Sequence, residues 1–200
     1  MMLKNIKLDL QAVENMLFFW NMIGEKEKVS EIYILTVAEM EQYRGIYDAE
    51  FDNISVRKVM SALSNREVFR GDNRKESRFW VDNLWMLEDM NYTMDIVAPI
   101  KRLHLDDLVP AINEKVKGKS IYETVKVVFV PFYNQPSLVR NNTLYINFFK
   151  ALPERGKQEL LLDDLPIKEY IFKQLVELVN QANQSGKGAQ MVNPLRNVFY

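Results

Sequence analysis

The sequence predicts an α+β fold, mostly helical, with a small mixed β-sheet formed mainly from residues 94–149. Three observations carry that reading. Val125-Lys-Val-Val-Phe-Val-Pro-Phe132 and Thr143-Leu-Tyr-Ile-Asn-Phe-Phe149 are dense in β-branched and aromatic residues, which suit a pleated, half-buried surface. Asn141-Asn142 stands just before the second run, and Asn tolerates the positive φ that a type I′ hairpin turn needs at both central positions. Most of the remaining chain spaces its apolar residues as helices do.

The elements follow in order. Asp9 is a suitable N-cap for a first helix ending at Gly24, with Val13, Met16, Leu17 and Trp20 on one face. A second helix is expected over 30–49, with Tyr33, Val37, Met40, Tyr43 and Tyr47 along its apolar side. Asp52 or Asn53 caps a third, carrying Val56, Val59, Met60 and Leu63. Gly71-Asp-Asn73 breaks the pattern, and Asn73 followed by Glu76 has the spacing of a capping box. The fourth helix carries Phe79, Trp80, Leu84, Leu87 and Met90.

Met94, Ile96, Ala98 and Ile100 alternate with other residues, and Pro99 interrupts them. That predicts a strand over 94–103 at a sheet edge, because Pro cannot donate to a ladder. Asp106-Asp107 should open a helix to Lys117, with Pro110 tolerated in its first turn. The strand–helix–strand order then implies a right-handed parallel crossover into 124–132, with 143–149 added antiparallel. Ser137 to Arg140 reads either as loop or as strand leading into the Asn-Asn turn. A last helix spans 165–184 on the stripe Ile167, Tyr170, Ile171, Leu175, Leu178 and Val179. One globular domain is expected over 1–184, helical over residues 1–92 and sheet-containing over residues 93–184. Residues 185–200 form a tail, flexible or docked.

Composition excludes several classes. The chain has no Cys, so disulfides, thiolate metal sites and Cys nucleophiles are ruled out. A net charge of −1 argues against a protein that binds nucleic acid or membrane over its whole surface. No apolar run is long enough to span a bilayer, and a cytoplasmic location is the default. The charge is nonetheless uneven: residues 1–50 carry five Lys/Arg against nine Asp/Glu, and residues 51–80 carry seven against four. Such neighbours can dock on each other or on a partner.

Arg66, Arg70, Arg74 and Arg78 recur every four residues, with Arg57, Lys58 and Lys75 nearby. On one unbroken helix they would form a phosphate-binding face, but Gly71-Asp-Asn73 argues against that continuity. Otherwise they are a solvated face paired with the acidic first quarter, or with an acidic protein. The loop ending in Arg140, Asn141 and Asn142 is the other candidate recognition element, because loops on a rigid sheet often carry binding.

Leu103-His-Leu-Asp-Asp-Leu108 resembles Leu160-Leu-Leu-Asp-Asp-Leu165. Paired carboxylates can hold a divalent ion or transfer protons. Asp107 and Asp164 also stand where helices should start, so capping explains them without a metal. His104, the only histidine, has no partner set for a transition metal. Phe18, Phe19, Trp20, Trp80 and Trp85 are read as core rather than as a cofactor box.

No residue is therefore assigned a catalytic or metal-ligating role, and no cofactor is expected. The leading expectation is a non-enzymatic, cytoplasmic interaction or regulatory protein that binds another protein. The alternatives are nucleic-acid or nucleotide binding through 57–78, and a carboxylate-based metal-dependent enzyme using His104, Asp106 and Asp107.

Overall fold

The computed structural model describes residues 2–154 and 159–185. It has the expected architecture, an α+β fold with eight helices and two small sheets among the described residues. The larger sheet is mixed, in the order β1-β2-β4-β3. Its strands are β1 (Asn5–Asp9), β2 (Thr124–Val130), β3 (Ser137–Arg140) and β4 (Thr143–Asn147). Residues 127–130 of β2 are all buried. Successive side chains point to opposite faces, so both faces of this central strand are covered. Among the helices, α1 (Gln11–Gly24) and α3 (Glu41–Arg44) contact β2, and α8 (Ile167–Ser185) contacts β4.

Several expectations need correction. Residues 94–103 are not a strand: α6 runs Met90–Lys101, with Pro99 inside it. Its buried residues are Thr93, Ile96, Val97 and Ile100, which is the i, i+3, i+4, i+7 pattern of a helix face. The alternation at 94, 96, 98 and 100 shares only two of those residues and misled. Asp89 starts the helix by accepting the N–H of Tyr92 at 2.9 Å.

The parallel partner of β2 on one side is instead β1, from Asn5↔Thr124 to Asp9↔Val128. The strand β4 lies parallel to β2, and its antiparallel neighbour is β3. The expected antiparallel addition of 143–149 is thus wrong in direction. Asp9 ends β1 rather than capping a helix from within it, although its Oδ1 accepts the Gln11 N–H at 3.0 Å.

The helix expected over 30–49 is two. Ser30 caps α2 (Glu31–Ala38), but Met40 is extended, at ψ 144, before α3 begins. A Cβ on Gly45, just past α3, would overlap the Tyr145 Oη of β4. The chain turns there because only a glycine lets the backbone approach the ring.

Two caps are as read. Asp52 accepts the N–H groups of Ile54 and Ser55 to start α4 (Asn53–Asn65). Asn73 accepts those of Lys75 and Glu76 to start α5 (Arg74–Glu88). Glu76 then returns a bond to Asp72 N rather than Asn73 N, at 2.8 Å. Its other oxygen takes Ser55 Oγ at 2.7 Å, tying α5 to α4.

Neither Asp107 nor Asp164 caps by its side chain. Asp107 precedes α7 (Leu108–Lys115) in helical conformation with no side-chain cap bond, and pairs with Lys168 Nζ at 2.5 Å. Asp163 and Asp164, at φ 53 and 61, form the two-residue turn of a second sheet. That sheet is β5 (Leu152–Pro153), β6 (Leu160–Leu162) and β7 (Leu165–Pro166). The doubly positive φ expected at Asn141-Asn142 occurs here instead. Of the two asparagines only Asn141, at φ 53, is left-handed. The last helix starts two residues later than expected and ends at Ser185. The tail expected beyond 185 lies outside the described residues.

Candidate functional site

Helix α5 organises the candidate surfaces. At 100° per residue, Glu76, Phe79, Asn83 and Met86 make one stripe, and all four are buried. Asn83 anchors it: its Oδ1 accepts the Trp20 indole N–H at 2.9 Å and its Nδ2 donates to Phe79 O at 2.8 Å. Two further stripes flank the core, each about 100° away. One holds Trp80, Leu84 and Leu87; the other holds Asp82, Trp85 and Asp89.

The first flank borders a groove of about 370 Å³ with apolar walls from Ile23, Leu63, Trp80, Leu84 and Leu87, and with Glu67 and Glu88 also lining it. Val68, 87% exposed, stands at its edge. Arg66 also lines it, as the left-handed residue at φ 58 that ends α4. The Trp80 Nε1–H is sealed from solvent and meets no acceptor among the described residues.

The arginine periodicity does not make one helical face. Arg66 ends one helix, Arg70 lies in the connection, and only Arg74 and Arg78 share α5. Much of the surrounding charge is used internally. Arg57 pairs with Glu31 at 2.5 Å, and Lys58 with Asp72 at 2.6 Å. Lys75 pairs with Asp48 and Glu50 at 2.7 and 2.9 Å, and Arg78 with Asp82 at 3.1 Å. Arg66, Arg70 and Arg74 are exposed and form no ion pair or side-chain hydrogen bond among the described residues.

Lys75 belongs to a network that closes the connection before α4 onto the sheet. Tyr133 Oη donates to Asp48, and Lys75 sits 4.7 Å from the Tyr133 ring centre. Burial alone would raise the Asp48 carboxyl, but bonds from Lys75, Tyr133 and the Glu50 N–H hold it below its ordinary value. Burial, then Asp48, pushes the Tyr133 phenol up to about 12. The first effect keeps Asp48 charged opposite Lys75, and the second keeps Tyr133 protonated as its hydrogen-bond donor.

The hairpin candidates are largely occupied. Arg140 donates to Tyr47 O at 2.6 Å. Asn142 donates to Thr124 O at 3.1 Å and accepts Lys126 N at 2.9 Å. Only Asn141 is an exposed, uncommitted side chain of the three.

His104 lines a cleft of about 410 Å³ with Arg102, Glu159 and Lys168, and none of Asp106, Asp107, Asp163 or Asp164 lines it. Among the described residues, no group of three or more His, Asp or Glu could hold a metal ion. The two Asp pairs therefore remain apart from the histidine.

The second flank was missed in the sequence. A cleft of about 510 Å³ is lined by Asp82, Trp85, Met86, Tyr92 and Phe149, with Glu88 and Asp89 beside them. Trp85, read as core, is 61% exposed. Phe18, read the same way, is 50% exposed. The signal was available in the spacing: 76, 79, 83 and 86 already complete a core face, so 85 cannot also belong to it.

Compared with protein family models, curated proteins and solved structures, the chain matches none. No helix among the described residues is long and apolar enough to cross a membrane.

Proposed function

We propose that this chain is a non-enzymatic interaction protein of the cytoplasm that docks a partner protein beside the α4–α5 connection. The observation that supports it is the contrast within one basic segment. Arg57, Lys58, Lys75 and Arg78 are neutralised by the fold, whereas Arg66, Arg70 and Arg74 project without partners among the described residues, and Arg66 lines a largely apolar groove. Apolar walls next to a connection and helix start that carry three exposed arginines suit a partner segment that is apolar on one side and acidic where it meets those arginines. Apolar burial would supply affinity there, and the arginines would supply orientation and encounter rate. The cytoplasmic assignment rests on the cysteine-free composition.

The test is photo-crosslinking from a reactive side chain at Val68, with Ile121 on the α7–β2 connection as the control position. A protein captured at Val68 alone is then purified. It should bind the full chain directly and lose most of its affinity to a variant with Arg66, Arg70 and Arg74 all changed to Glu. Submicromolar binding of RNA or DNA at physiological salt, lost in Arg70→Ala and Arg74→Ala, would instead establish the nucleic-acid alternative. Binding that is purely nonspecific lies near 10⁻⁴–10⁻⁶ M, roughly.

A further inference from the structure

We infer that the cleft between α5 and α6 binds an organic cation: a primary ammonium or guanidinium group on an alkyl stem. This site is separate from the arginine-edged groove and stands or falls independently of the function proposed for it.

Three observations carry the assignment. First, the cleft combines rings with carboxylates. Trp85, Tyr92 and Phe149 contribute aromatic surface, and Asp82, Glu88 and Asp89 contribute negative charge. Aromatic faces attract cations through the ring quadrupole, and more strongly when the cation is desolvated. Phe149 packs against Trp20, Phe79 and Phe148, which fixes it in place. Neither Trp85 nor Tyr92 stacks on another ring among the described residues, and Trp85 is 61% exposed.

Second, Asp82 is only 7% exposed yet incompletely bonded. Arg78 Nε reaches Oδ2 at 3.1 Å, and Oδ1 takes no hydrogen bond among the described residues. Asp82 lines the cleft, so a ligand there can reach its side chain. Burial holds the Asp82 carboxyl above its ordinary value despite the charges of Arg78 and Lys150. A ligand N–H would supply a further donor to the free oxygen.

Third, the dimensions suit a small molecule or side chain rather than a bare ion. Small-molecule sites commonly enclose about 300–1,000 Å³, and this cleft has about 510 Å³. Its walls include Met86, which suits an alkyl stem. A quaternary ammonium would satisfy the rings but not Oδ1, so the donor requirement selects primary amines and guanidines.

The experiment follows the three indole N–H signals of the full chain by NMR. The probes are hexylamine and agmatine, with hexanol as the uncharged counterpart of hexylamine and tetramethylammonium as the donor-free cation. A capped tripeptide with a central Arg forms a further arm. The Trp85 signal should move saturably with hexylamine and agmatine, whereas that of Trp20, bonded to Asn83, stays. Hexanol and tetramethylammonium should bind about tenfold more weakly or worse. Asp82→Asn should weaken agmatine by about tenfold, and Trp85→Ala, at an exposed position, should weaken it without unfolding the chain.

Tight binding of the tripeptide as well would identify the source as an Arg side chain of a peptide; its failure beside agmatine would identify a free amine. Equal affinity for hexanol and hexylamine would overturn the assignment. So would unchanged agmatine affinity in both variants, or an unmoved Trp85 signal at about 10 mM agmatine, where a site with even millimolar Kd would be mostly filled.

Discussion

Trp80 and Trp85 stand on opposite flanks of the same helix, five residues apart, and have different fates. Trp80 is partly buried against Leu84 and Leu87, with its indole N–H sealed and unpaired among the described residues. Trp85 is 61% exposed at the mouth of an acidic cleft. Both are tryptophans on one amphipathic helix, so composition and helical propensity do not separate them. Their angle to the core stripe does, and the residues delivered by neighbouring elements do the rest. On the Trp80 side the α4–α5 connection brings Arg66 and Val68. On the Trp85 side the α5–α6 junction brings Asp89, α6 brings Tyr92, and the turn after β4 brings Phe149.

The strongest way to break the comparison is to remove the seat that both flanks share. Phe79 is fully buried and touches Tyr43, Phe51 and Phe149. Phe79→Ala should cost about 3–5 kcal/mol in urea unfolding, and both surfaces should fail together. Independent survival of either surface at that loss of stability would show that the core stripe does not position it.

A smaller change should separate the flanks. A Cβ on Gly71 would lie 2.7 Å from Ser77 N, which is backbone and cannot rotate away. Gly71→Ala should therefore shift the α4–α5 connection and cost about 1–3 kcal/mol. It should weaken partner docking at the groove while the Trp85 indole titrates as in the parent.

Trp80→Phe deletes the unpaired N–H while keeping most of the ring. An orphaned buried donor costs about 1–3 kcal/mol, offset here by the lost ring volume. The midpoint should therefore stay level or rise slightly. A loss of several kcal/mol would mean that the N–H has an acceptor in solution.

The acidic flank predicts a pH signature. Because burial raises the Asp82 carboxyl in the folded chain from 3.8, the native state holds that proton more tightly than the unfolded state. Its contribution to stability is greatest below the unfolded value, and declines as pH rises through the folded one. Asp82→Asn should flatten that decline. Asp48, whose carboxyl is lowered, acts in the opposite sense: its contribution is present above the unfolded value and is lost as pH falls through the folded one. Thermal midpoints of the two Asn variants across roughly pH 2–7 should therefore diverge from the parent in opposite directions. The smallest stability effect belongs to Trp85→Ala, within about 0.5 kcal/mol of the parent because its side chain is largely exposed.

Local chemistry was legible where it needed only a few neighbouring residues. Asp52 and Asn73 cap the helices that their positions announce. The two β-rich runs form adjacent strands, and the stripe from Ile167 to Val179 packs as expected. The failures share a cause. Asn5–Asp9 holds only two apolar residues and becomes a strand because β2 lies beside it. Residues 93–100 satisfy a period of two or of 3.6, and burial of Thr93, Ile96, Val97 and Ile100 chooses the helix. Asp163-Asp164 looks like a helix start but serves a hairpin, because Leu162 and Leu165 pair across it.

The sequence by itself determined the α+β class, the caps, the absence of thiol chemistry and the excess of arginine between 57 and 78. Only the tertiary structure decided which of those arginines are neutralised, which tryptophan faces outward and which carboxylates share a cleft with aromatic rings. Caps and periodicity act within one or two helical turns, so a single stretch of chain specifies them. Ion pairing and desolvation depend on groups such as Asp48 with Lys75, or Asp82 with Phe149, that come together only when the chain folds.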